Sequence, residues 1–522
     1  MKMINNIKWL AFVALAFVAC NSDDDVIADP NSTDGTPLTA GTADFSKYVS
    51  LGNSLTAGYS DGALFMEGQK NSFPNLLANQ FALVGGGEFK IPYTNDNVGG
   101  LLLGGNVIAG PRLFFNGAAP VSVLGSPSTE ITNVLTGGFN NMGVPGAKSF
   151  HLLAPGYGNV AAVQSGQANP YFVRFASAPN TTILADAMAQ NATFFSLWIG
   201  ANDVLSYATS GGNGANQLGN LNLATYGGND ITDPNVFASV YSNLIDGMTA
   251  NGAKGVVANI PYVTSVPYFT TVPTNPIPGL PPANAGQLNQ LFGGINQALA
   301  ASGLPARFVT LVSDDGNPAT AEANPLLIFD ESLPNISAQI TAALSGAVGV
   351  PTATFLGSIY GQARHASSAT GSKDYIILTA RGVIGTTLAT APAPFNTIGV
   401  SYPMQDNTTL TAFEAEEVKT AIDAFNAVIL AKANEKGLAF VNANELLGRV
   451  ATTGITSNNY TVKSTYVTGG GFSLDGVHPS PRGYALIANE FVKAINATYG
   501  SNFKGVNIGN YRILYPADSA NF

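Results

Sequence analysis

Short apolar runs that end in glycine or proline recur along the chain and predict buried strands. The first covers residues 46–52, and later runs lie at 193–200, 255–261 and 438–441. Runs that are apolar at almost every position are typical of parallel strands covered on both faces. Another strand is expected to end in the glycine-rich loop within 139–146. These segments predict the strands of one parallel sheet.

Start and stop signals between these runs predict helices. Asp233 caps a helix that has proline just inside its start, and Thr411-x-x-Glu414 is a capping box for the clearest helix, which Gly437 ends. The alternation of strands and helices indicates an α/β protein with right-handed crossovers and a doubly wound sheet. The other predicted helices cover residues 73–83, 285–302, 336–345 and 481–498.

Two long segments interrupt this alternation and are interpreted as insertions. Residues 84–137 and 262–400 are rich in glycine, proline and asparagine, which favours turns and irregular structure. The second insertion is expected to include some helix and to form a cap over the active face. The organisation predicted is one domain over residues 45–500, with a C-terminal extension at 501–522.

Composition narrows the classes of function. Charged residues are only 10% of the 522-residue chain, against roughly 25% in ordinary soluble domains. The net charge is −10 with 22 lysines and arginines, which argues against a nucleic-acid partner because phosphate binding requires clustered positive charge. The body of the chain has no uninterrupted apolar run of the roughly 18 residues that a membrane span requires.

The N-terminus has the pattern of a targeting segment. Lys2 and Lys8 precede a ten-residue apolar run, Trp9 to Val18, and the chain's one cysteine follows at Cys20. Residues 1–19 therefore predict a signal peptide. An ordinary secretory cleavage site with an incidental cysteine is the alternative.

The segment resembles a bacterial lipoprotein signal, which implies that Cys20 carries lipid and anchors the chain. Phe17 stands where that pattern more often has leucine. Residues 20–44 are polar and predict a flexible linker. Its acidic start, residues 21–25, resembles the export signal of Bacteroidetes surface lipoproteins. The resemblance implies an outer-membrane lipoprotein exposed at the cell surface, in contact with the membrane only through its lipid.

A serine directly after the first strand is the first candidate for chemistry. Ser54 follows Gly52-Asn53, and helix-compatible residues follow Ser54. A strand, tight turn and helix start would place its hydroxyl at the carboxyl end of a parallel strand, where open α/β sheets bind ligands. A plain turn is the alternative, because serine and glycine are both common in turns.

A serine nucleophile needs a base, a group that orients the base, and donors for an oxyanion. His478 is one of three histidines, with His151 and His365, and Asp475 precedes it by three residues. That spacing within a turn brings a carboxylate to the imidazole Nδ1 and leaves Nε2 for a serine. The alternative is a turn with a surface histidine.

Two further pieces supply candidate donors. Gly146 closes the segment Asn141-Met142-Gly143-Val144-Pro145-Gly146, where a backbone N–H group can face a substrate. Asn202 lies in Gly200-Ala201-Asn202-Asp203, directly after a predicted strand. Its side-chain amide is a second candidate donor, and a helix cap is the alternative role for Asn-Asp at this point.

The order serine, glycine, asparagine and Asp-x-x-His, each piece beside a predicted strand, resembles the SGNH hydrolases, also called the GDSL esterase/lipase family. The resemblance implies a three-layer α/β/α flavodoxin-like sandwich with about five parallel strands. It also implies that Ser54 is the nucleophile, His478 the base and Asp475 its orienting acid. The oxyanion hole would comprise the N–H groups of Ser54 and Gly146 and the side chain of Asn202.

The family motif Gly-Asp-Ser-Leu is here Gly-Asn-Ser-Leu, with Asn53 in place of aspartate. Asparagine shares the turn behaviour of aspartate, so the turn is expected to survive without the charge. The implied activity is hydrolysis of carboxylic esters through an acyl-enzyme, with no metal or organic cofactor.

Three alternatives remain open at this point. The substrate is a lipid or small-molecule ester, or it is an acetylated polysaccharide. Otherwise the chain is a non-catalytic surface lipoprotein that keeps the fold for binding. Asp314-Asp315-Gly316-Asn317 has part of the spacing of a calcium loop, but composition favours a turn.

Overall fold

The structure is a computed structural model that describes residues 36–317 and 322–518. The expected signal peptide, the lipidation candidate Cys20 and the first part of the linker lie outside the described residues. The helices are α1 Ser54–Ala57, α2 Met66–Lys70, α3 Phe73–Ala82, α4 Pro170–Val173, α5 Ile183–Met188, α6 Asn202–Thr209, α7 Pro234–Thr249, α8 Pro267–Thr270, α9 Pro282–Ala301, α10 Ser337–Val348, α11 Val350–Tyr360, α12 Ala412–Lys436, α13 Ala443–Ala451 and α14 Pro481–Tyr499.

Short two-stranded sheets accompany one large sheet. The strands are β1 Tyr48–Gly52, β2 Leu101–Leu103, β3 Asn106–Ala109, β4 Leu113–Phe115, β5 Pro120–Ser122, β6 Asn141–Gly143, β7 Phe194–Trp198, β8 Lys254–Ala258, β9 Ile277–Pro278, β10 Ala323–Asn324, β11 Leu327–Phe329, β12 Ala363–His365, β13 Tyr375–Ile376, β14 Thr409–Leu410, β15 Ala439–Val441, β16 Ile455–Ser457 and β17 Tyr460–Val462.

The large sheet has five strands, all parallel, in the order β15-β8-β7-β1-β6. Numbered by their position in the chain, these strands follow the flavodoxin-like order 2-1-3-4-5, read from the β6 edge. The α/β class and the parallel five-stranded sheet are therefore as the sequence predicts. The second strand in the chain, β6, lies on one side of β1, and the later strands β7, β8 and β15 follow on the other side. Sheets of this kind bind ligands at their carboxyl edge beside the strand where the order switches.

Alternate side chains of the central strands enter two separate apolar cores. Val49 and Leu51 pack in one core with α5, α6, α7 and α12, whereas Tyr48 packs in the other with α3, α13 and α14. Phe195 and Phe194 divide between the same two cores. Burial on both faces explains why these strands are continuously apolar in sequence, and it gives the helix–sheet–helix layering of the fold.

The capping signals place the helices as predicted. Asp233 Oδ1 accepts hydrogen bonds from the N–H groups of Asn235 and Val236 at 2.7 and 3.1 Å. The Thr411–Glu414 capping box forms, and α12 ends at Gly437, whose φ of 61° is left-handed. Helices α11 and α13 are absent from the sequence prediction, as are the shorter helices α2, α4, α5, α6 and α8. In sequence, Gly349 and Pro351 indicate the end of a helix, but Pro351 lies in the first turn of α11.

The two insertions differ from each other in structure. The first, expected to be irregular, contains two short hairpins, β2–β3 and β4–β5. The second contains α9, α10 and α11, which pack around an apolar cluster of their own. The start of the second insertion contacts the loop before α14, because Tyr268 N–H donates to Gly476 O at 2.9 Å. The segments assigned to linker and extension also join the body, since Thr42 N–H donates to Tyr499 O and Tyr515 is buried.

We predict that Asp233→Ala lowers the free energy of unfolding by about 1–2 kcal/mol, because α7 loses its N-terminal cap. Asp233 Oδ2 also accepts the Gly219 N–H at 2.7 Å, so this loop loses an anchor as well. Urea denaturation measures the change. Asp233→Asn keeps a capping oxygen and is expected to lose less stability, so equal losses in the two variants would contradict the capping role.

Candidate active site

Ser54 lies at the junction of β1 and α1. Two residues before it, at Gly52, the packing leaves no room for a side chain. A Cβ atom on Gly52 would lie 2.2 Å from Thr56 Oγ1 and 2.4 Å from Trp198 O. Asn53 caps α1, because its Oδ1 accepts the Leu55 N–H at 3.0 Å. Asparagine thus provides the capping oxygen at this position without a charge.

His478 connects Ser54 to Asp475. Its Nε2 lies 2.8 Å from Ser54 Oγ, and its Nδ1 lies 2.9 Å from Asp475 Oδ2. Asp475 Oδ1 accepts the N–H groups of Val477 and His478 itself. Burial alone raises the pKa of Asp475, but the His478 ring and these hydrogen bonds lower it to about 2. The acid therefore stays ionised and holds the ring with Nε2 toward the serine.

A neighbouring segment fixes the loop that carries Asp475. Gly62 N–H donates to Asp475 Oδ2 at 3.0 Å, and Asp61 N–H donates to Ser473 Oγ at 3.0 Å. In return, Asp61 Oδ1 accepts the Leu474 N–H at 2.8 Å. Asp61 has a left-handed φ of 51°, uncommon for a residue with a side chain. The sequence analysis misses Asp61, because Asp-Gly reads as an ordinary turn.

An aromatic side chain packs beside His478. The ring of Tyr59 lies 4.6 Å from that of His478, centroid to centroid. Tyr59 also contacts the turn that holds Asp475, since its hydroxyl donates to Gly62 O at 2.5 Å. This contact restricts the orientation of the His478 ring, and nothing in the sequence pattern singles out Tyr59.

Asn202 is the first residue of α6, and it lines the same cavity as Ser54 and His478. Its Nδ2 donates to Ala147 O at 2.9 Å. That bond uses one of the two N–H groups of the amide and leaves the other for an acceptor in the cavity. The candidate side-chain donor of the oxyanion hole is thus on the same cavity wall as the serine.

Gly146 lies in the loop that follows β6, next to α1. Val144 N–H donates to Gly52 O at 3.0 Å, and Asn169 Nδ2 donates to Pro145 O at 2.8 Å, so both sides of the turn are held. Gly146 has a left-handed φ of 79°. The structure does not place it among the residues that line the cavity shared by Ser54 and Asn202.

Asp203 joins the Asn202 segment to the loop after Gly146. Its two carboxylate oxygens accept the Ser149 N–H at 2.8 Å and the Ser149 hydroxyl at 2.7 Å. Burial raises the pKa of Asp203, and the hydrogen bonds from Ser149 oppose that shift. The Asn-Asp pair thus has two roles, with Asn202 facing the cavity and Asp203 fastening the loop. In the sequence, Asp203 has no signal beyond that of a helix cap shared with Asn202.

The other two histidines lie in apolar surroundings and serve packing. Burial lowers the pKa of His151 and of His365 to about 4 in each case. His151 stacks on Tyr157 at 4.4 Å, and its Nδ1 accepts the Lys148 N–H. His365 Nδ1 accepts the Val309 N–H. Both rings are neutral near pH 7, and the structure brings His478 to Ser54.

A cavity of about 100 Å³ extends from Ser54 between α13 and α14. Polar groups gather at one end, around Ser54, Asn202 and His478, and the remaining wall is almost entirely apolar. The apolar wall includes Leu205, Val263, Val266, Leu446, Leu447, Val450, Val462, Phe472, Leu486 and Ile487.

The segment with part of a calcium-loop spacing has the hydrogen bonds of a turn. Asp314 accepts the Gly316 N–H, and Asp315 accepts the Asn317 N–H.

Across residues 36–317 and 322–518, no helix has both the length and the apolar character needed to cross a membrane.

Comparison of the chain with protein-family models, with curated proteins and with solved structures gave no match.

The buried Asp61 generates a prediction about pH. Burial, with a smaller effect of the Asp475 charge, raises the pKa of Asp61 from 3.8 to about 7, although the Leu474 hydrogen bond and the Arg112 charge oppose this shift. The folded protein thus binds an extra proton between these pH values. The stabilisation from neutral Asp61 is complete below pH 3.8 and is lost as the pH rises through about 7.

The side chain of Asp61→Asn is neutral at every pH. We predict that, as the pH rises from about 5 to about 8, the free energy of unfolding falls less in this variant than in the unchanged protein. Urea denaturation at several pH values measures the difference, and other titrating groups cancel in the comparison. Parallel pH profiles of the two proteins would contradict a buried, neutral Asp61.

Proposed function

We propose that the protein is a serine esterase of the SGNH hydrolase type that cleaves carboxylic esters with an apolar acyl chain. The observation that carries the proposal is the unbroken hydrogen-bonded series Asp475–His478–Ser54 at the polar end of an apolar cavity. The flavodoxin-like strand order and the order of motifs along the chain support the same assignment.

In the proposed mechanism, His478 Nε2 removes the Ser54 hydroxyl proton while Ser54 Oγ attacks the ester carbonyl carbon. Asp475 stays ionised and stabilises the imidazolium that forms. The tetrahedral oxyanion accepts hydrogen bonds from the Asn202 amide and from backbone N–H groups at Ser54 and Gly146. His478 then protonates the leaving alcohol as the C–O bond breaks, and the acyl group remains on Ser54.

Deacylation repeats these steps with water. His478 removes a proton from the attacking water, the acid product leaves, and the proton returns to Ser54 Oγ. Every proton transfer in this cycle passes through one imidazole, so no metal or organic cofactor takes part. The proposal includes a Gly146 contact that forms only if the loop after β6 presents its N–H group to bound substrate.

The wall of the cavity supports an acyl chain as the bound group. Burial of each methylene contributes about 0.8 kcal/mol, so a chain that enters an apolar cavity binds more tightly as it lengthens. A sugar ring carries hydroxyl groups, and these would lose hydrogen bonds to water against the apolar side chains of α13 and α14. An acetyl group on a polysaccharide would occupy only the polar end of the cavity, beside Ser54.

A non-catalytic binding lipoprotein is the other class of function, and the aligned triad favours catalysis over it. The proposed location, anchored to the outer membrane through lipid on Cys20 and exposed at the cell surface, rests on the N-terminal sequence pattern. That segment lies outside the described residues, and the hydrolase proposal does not depend on it.

We predict graded losses of turnover in three variants measured with p-nitrophenyl butyrate. Ser54→Ala loses on the order of 10⁶ in kcat because no nucleophile remains. Asp475→Asn loses about 10⁴ because the wrong tautomer of His478 is held. Asn202→Ala loses about 10²–10³, the effect of one oxyanion donor.

The exposed Ser372 is the control for these variants, and Ser372→Ala is expected to keep the unchanged rate. Circular dichroism verifies that each variant folds. Hydrolysis by Ser54→Ala at the unchanged rate would overturn the proposed nucleophile.

Narrowing the cavity tests the acyl-chain assignment separately. Leu446 on α13 and Leu486 on α14 both line the apolar part. We predict that Leu446→Trp or Leu486→Trp lowers kcat/KM for p-nitrophenyl octanoate by about tenfold or more, since the chain loses about two methylenes of burial. Hydrolysis of the acetate ester should change little, because the acetyl group stays near Ser54.

The matched control is Leu430→Trp on α12, where the side chain is exposed and does not line the cavity. An octanoate-to-acetate ratio that stays the same in the two cavity variants would show that the acyl chain binds elsewhere.

A further inference from the structure

Three carboxylates from two distant parts of the chain meet where the second insertion approaches α12. Glu331 follows β11, Asp406 precedes β14, and Glu414 lies in the first turn of α12. One oxygen from each carboxylate lies within 4.8 Å of the other two. Among the described residues, no lysine, arginine or histidine forms an ion pair with any of the three.

Glu414 is the most deeply buried member, with 2% of its surface exposed. The capping box explains only one of its oxygens, since Oε2 accepts the Thr411 N–H at 2.7 Å and the Thr411 hydroxyl at 2.8 Å. The other oxygen, Oε1, is buried and accepts no hydrogen bond. A buried carboxylate oxygen without a partner is costly, so it indicates a ligand.

A second buried oxygen in the cluster has the same property. Asp406 Oδ1 is out of contact with solvent and has no hydrogen-bond partner. Burial and the adjacent Glu331 carboxylate raise the pKa of Asp406 and of Glu414. Asp330, the residue before Glu331, pairs with Arg364 at 2.6 Å, and Arg364 also pairs with Asp374 at 2.6 Å.

The backbone closes one side of the cluster. Gly212, three residues beyond the end of α6, has a φ of 82°, and a Cβ atom built on it would lie 1.7 Å from Glu414 Oε1. The backbone of Gly211 similarly contacts that of Asp406 and its neighbour. Segments from the body, from the insertion and from α12 therefore surround the three carboxylates.

The spacing of the oxygens fits a calcium ion. Ca²⁺ binds oxygens at about 2.3–2.6 Å, so ligands on opposite sides of the ion are about 4.6–5.2 Å apart. Oxygens that lie within 4.8 Å of one another are thus close enough to share one ion. Carboxylates are ligands of hard divalent cations, and the lack of nitrogen or sulfur donors argues against zinc or copper.

We propose that Glu331, Asp406 and Glu414 bind a divalent cation of the calcium class, which fastens the second insertion to the first turn of α12. The site is separate from the cavity at Ser54, and it does not depend on the proposed hydrolase activity. Its role is structural: the cation offsets the repulsion of one buried, one half-buried and one exposed carboxylate. It also joins Glu331 to Glu414, which are more than 80 residues apart in the chain.

Calorimetric titration of the EDTA-treated protein with CaCl₂ at constant ionic strength tests the proposal. We expect one ion per chain with a Kd of about 0.1–1 mM or tighter, and a rise in thermal midpoint that NaCl does not produce. Titration with MgCl₂ tests whether the smaller ion competes.

Two variants place the ion at this cluster. Glu331→Gln removes the exposed ligand without touching the capping box, and Glu414→Gln keeps that box, which accepts glutamine at the same position. Each is expected to weaken Ca²⁺ binding about tenfold or more, since affinity follows the charge of the ligands. Glu416→Gln makes the same charge change on an exposed site of α12 and should bind as the unchanged protein does.

No heat and no change in thermal midpoint with either cation would overturn the proposal and would show that protons alone neutralise the cluster. Binding that stays equally strong in Glu331→Gln would overturn it as well. That variant decides the question even if Glu414→Gln does not fold.

Discussion

The interaction on which the site depends is the docking of the chain after Ser54 onto the loop before α14. Residues 60–62 and 473–479 exchange hydrogen bonds in both directions: Gly62 N–H to Asp475, Asp61 N–H to Ser473, Leu474 N–H to Asp61, and the Ser60 hydroxyl to Pro479 O. Gly62 and Asp475 are 413 positions apart. This docking sets the distance between the serine at the end of β1 and the histidine before α14.

The parallel sheet makes that docking possible. Strands β1, β7 and β8 end at the same edge, so the turn at Ser54, the start of α6 at Asn202 and the loop after β8 converge there. The helices α13 and α14 add an apolar wall on one side, and the side chains of His478 and Asp475 are each only 14% exposed. Electrostatic interactions in such surroundings are stronger than in water, so Asp475 acts on the ring more effectively.

Much of the fold and the core of the site could be predicted from the sequence, because those parts have local signals. Continuous apolar runs identify strands buried on both faces, and capping residues such as Asp233 and Thr411 mark helix starts. Ser54, Asp475 and His478 meet as the resemblance to SGNH hydrolases implies. Asn202 lines the same cavity, whereas the position of Gly146 leaves its proposed N–H contact as an expectation.

What the sequence could not provide depends on contacts between distant segments. Asp61 and Tyr59 have no local pattern that separates them from ordinary turn and surface residues, and their roles follow only from the loop they touch. The helix α11 begins at a glycine and a proline, which in isolation signal an end. The carboxylates of Glu331, Asp406 and Glu414 come together only because the insertion folds back on α12.

The central claim is that Ser54 Oγ forms a covalent acyl intermediate. Reaction of the protein with a fluorophosphonate, followed by intact-mass measurement and peptide mapping, tests it most directly. We expect one adduct per chain, located on Ser54, and no labelling after denaturation or in His478→Ala. Labelling at another residue, or no labelling of the folded protein, would contradict it.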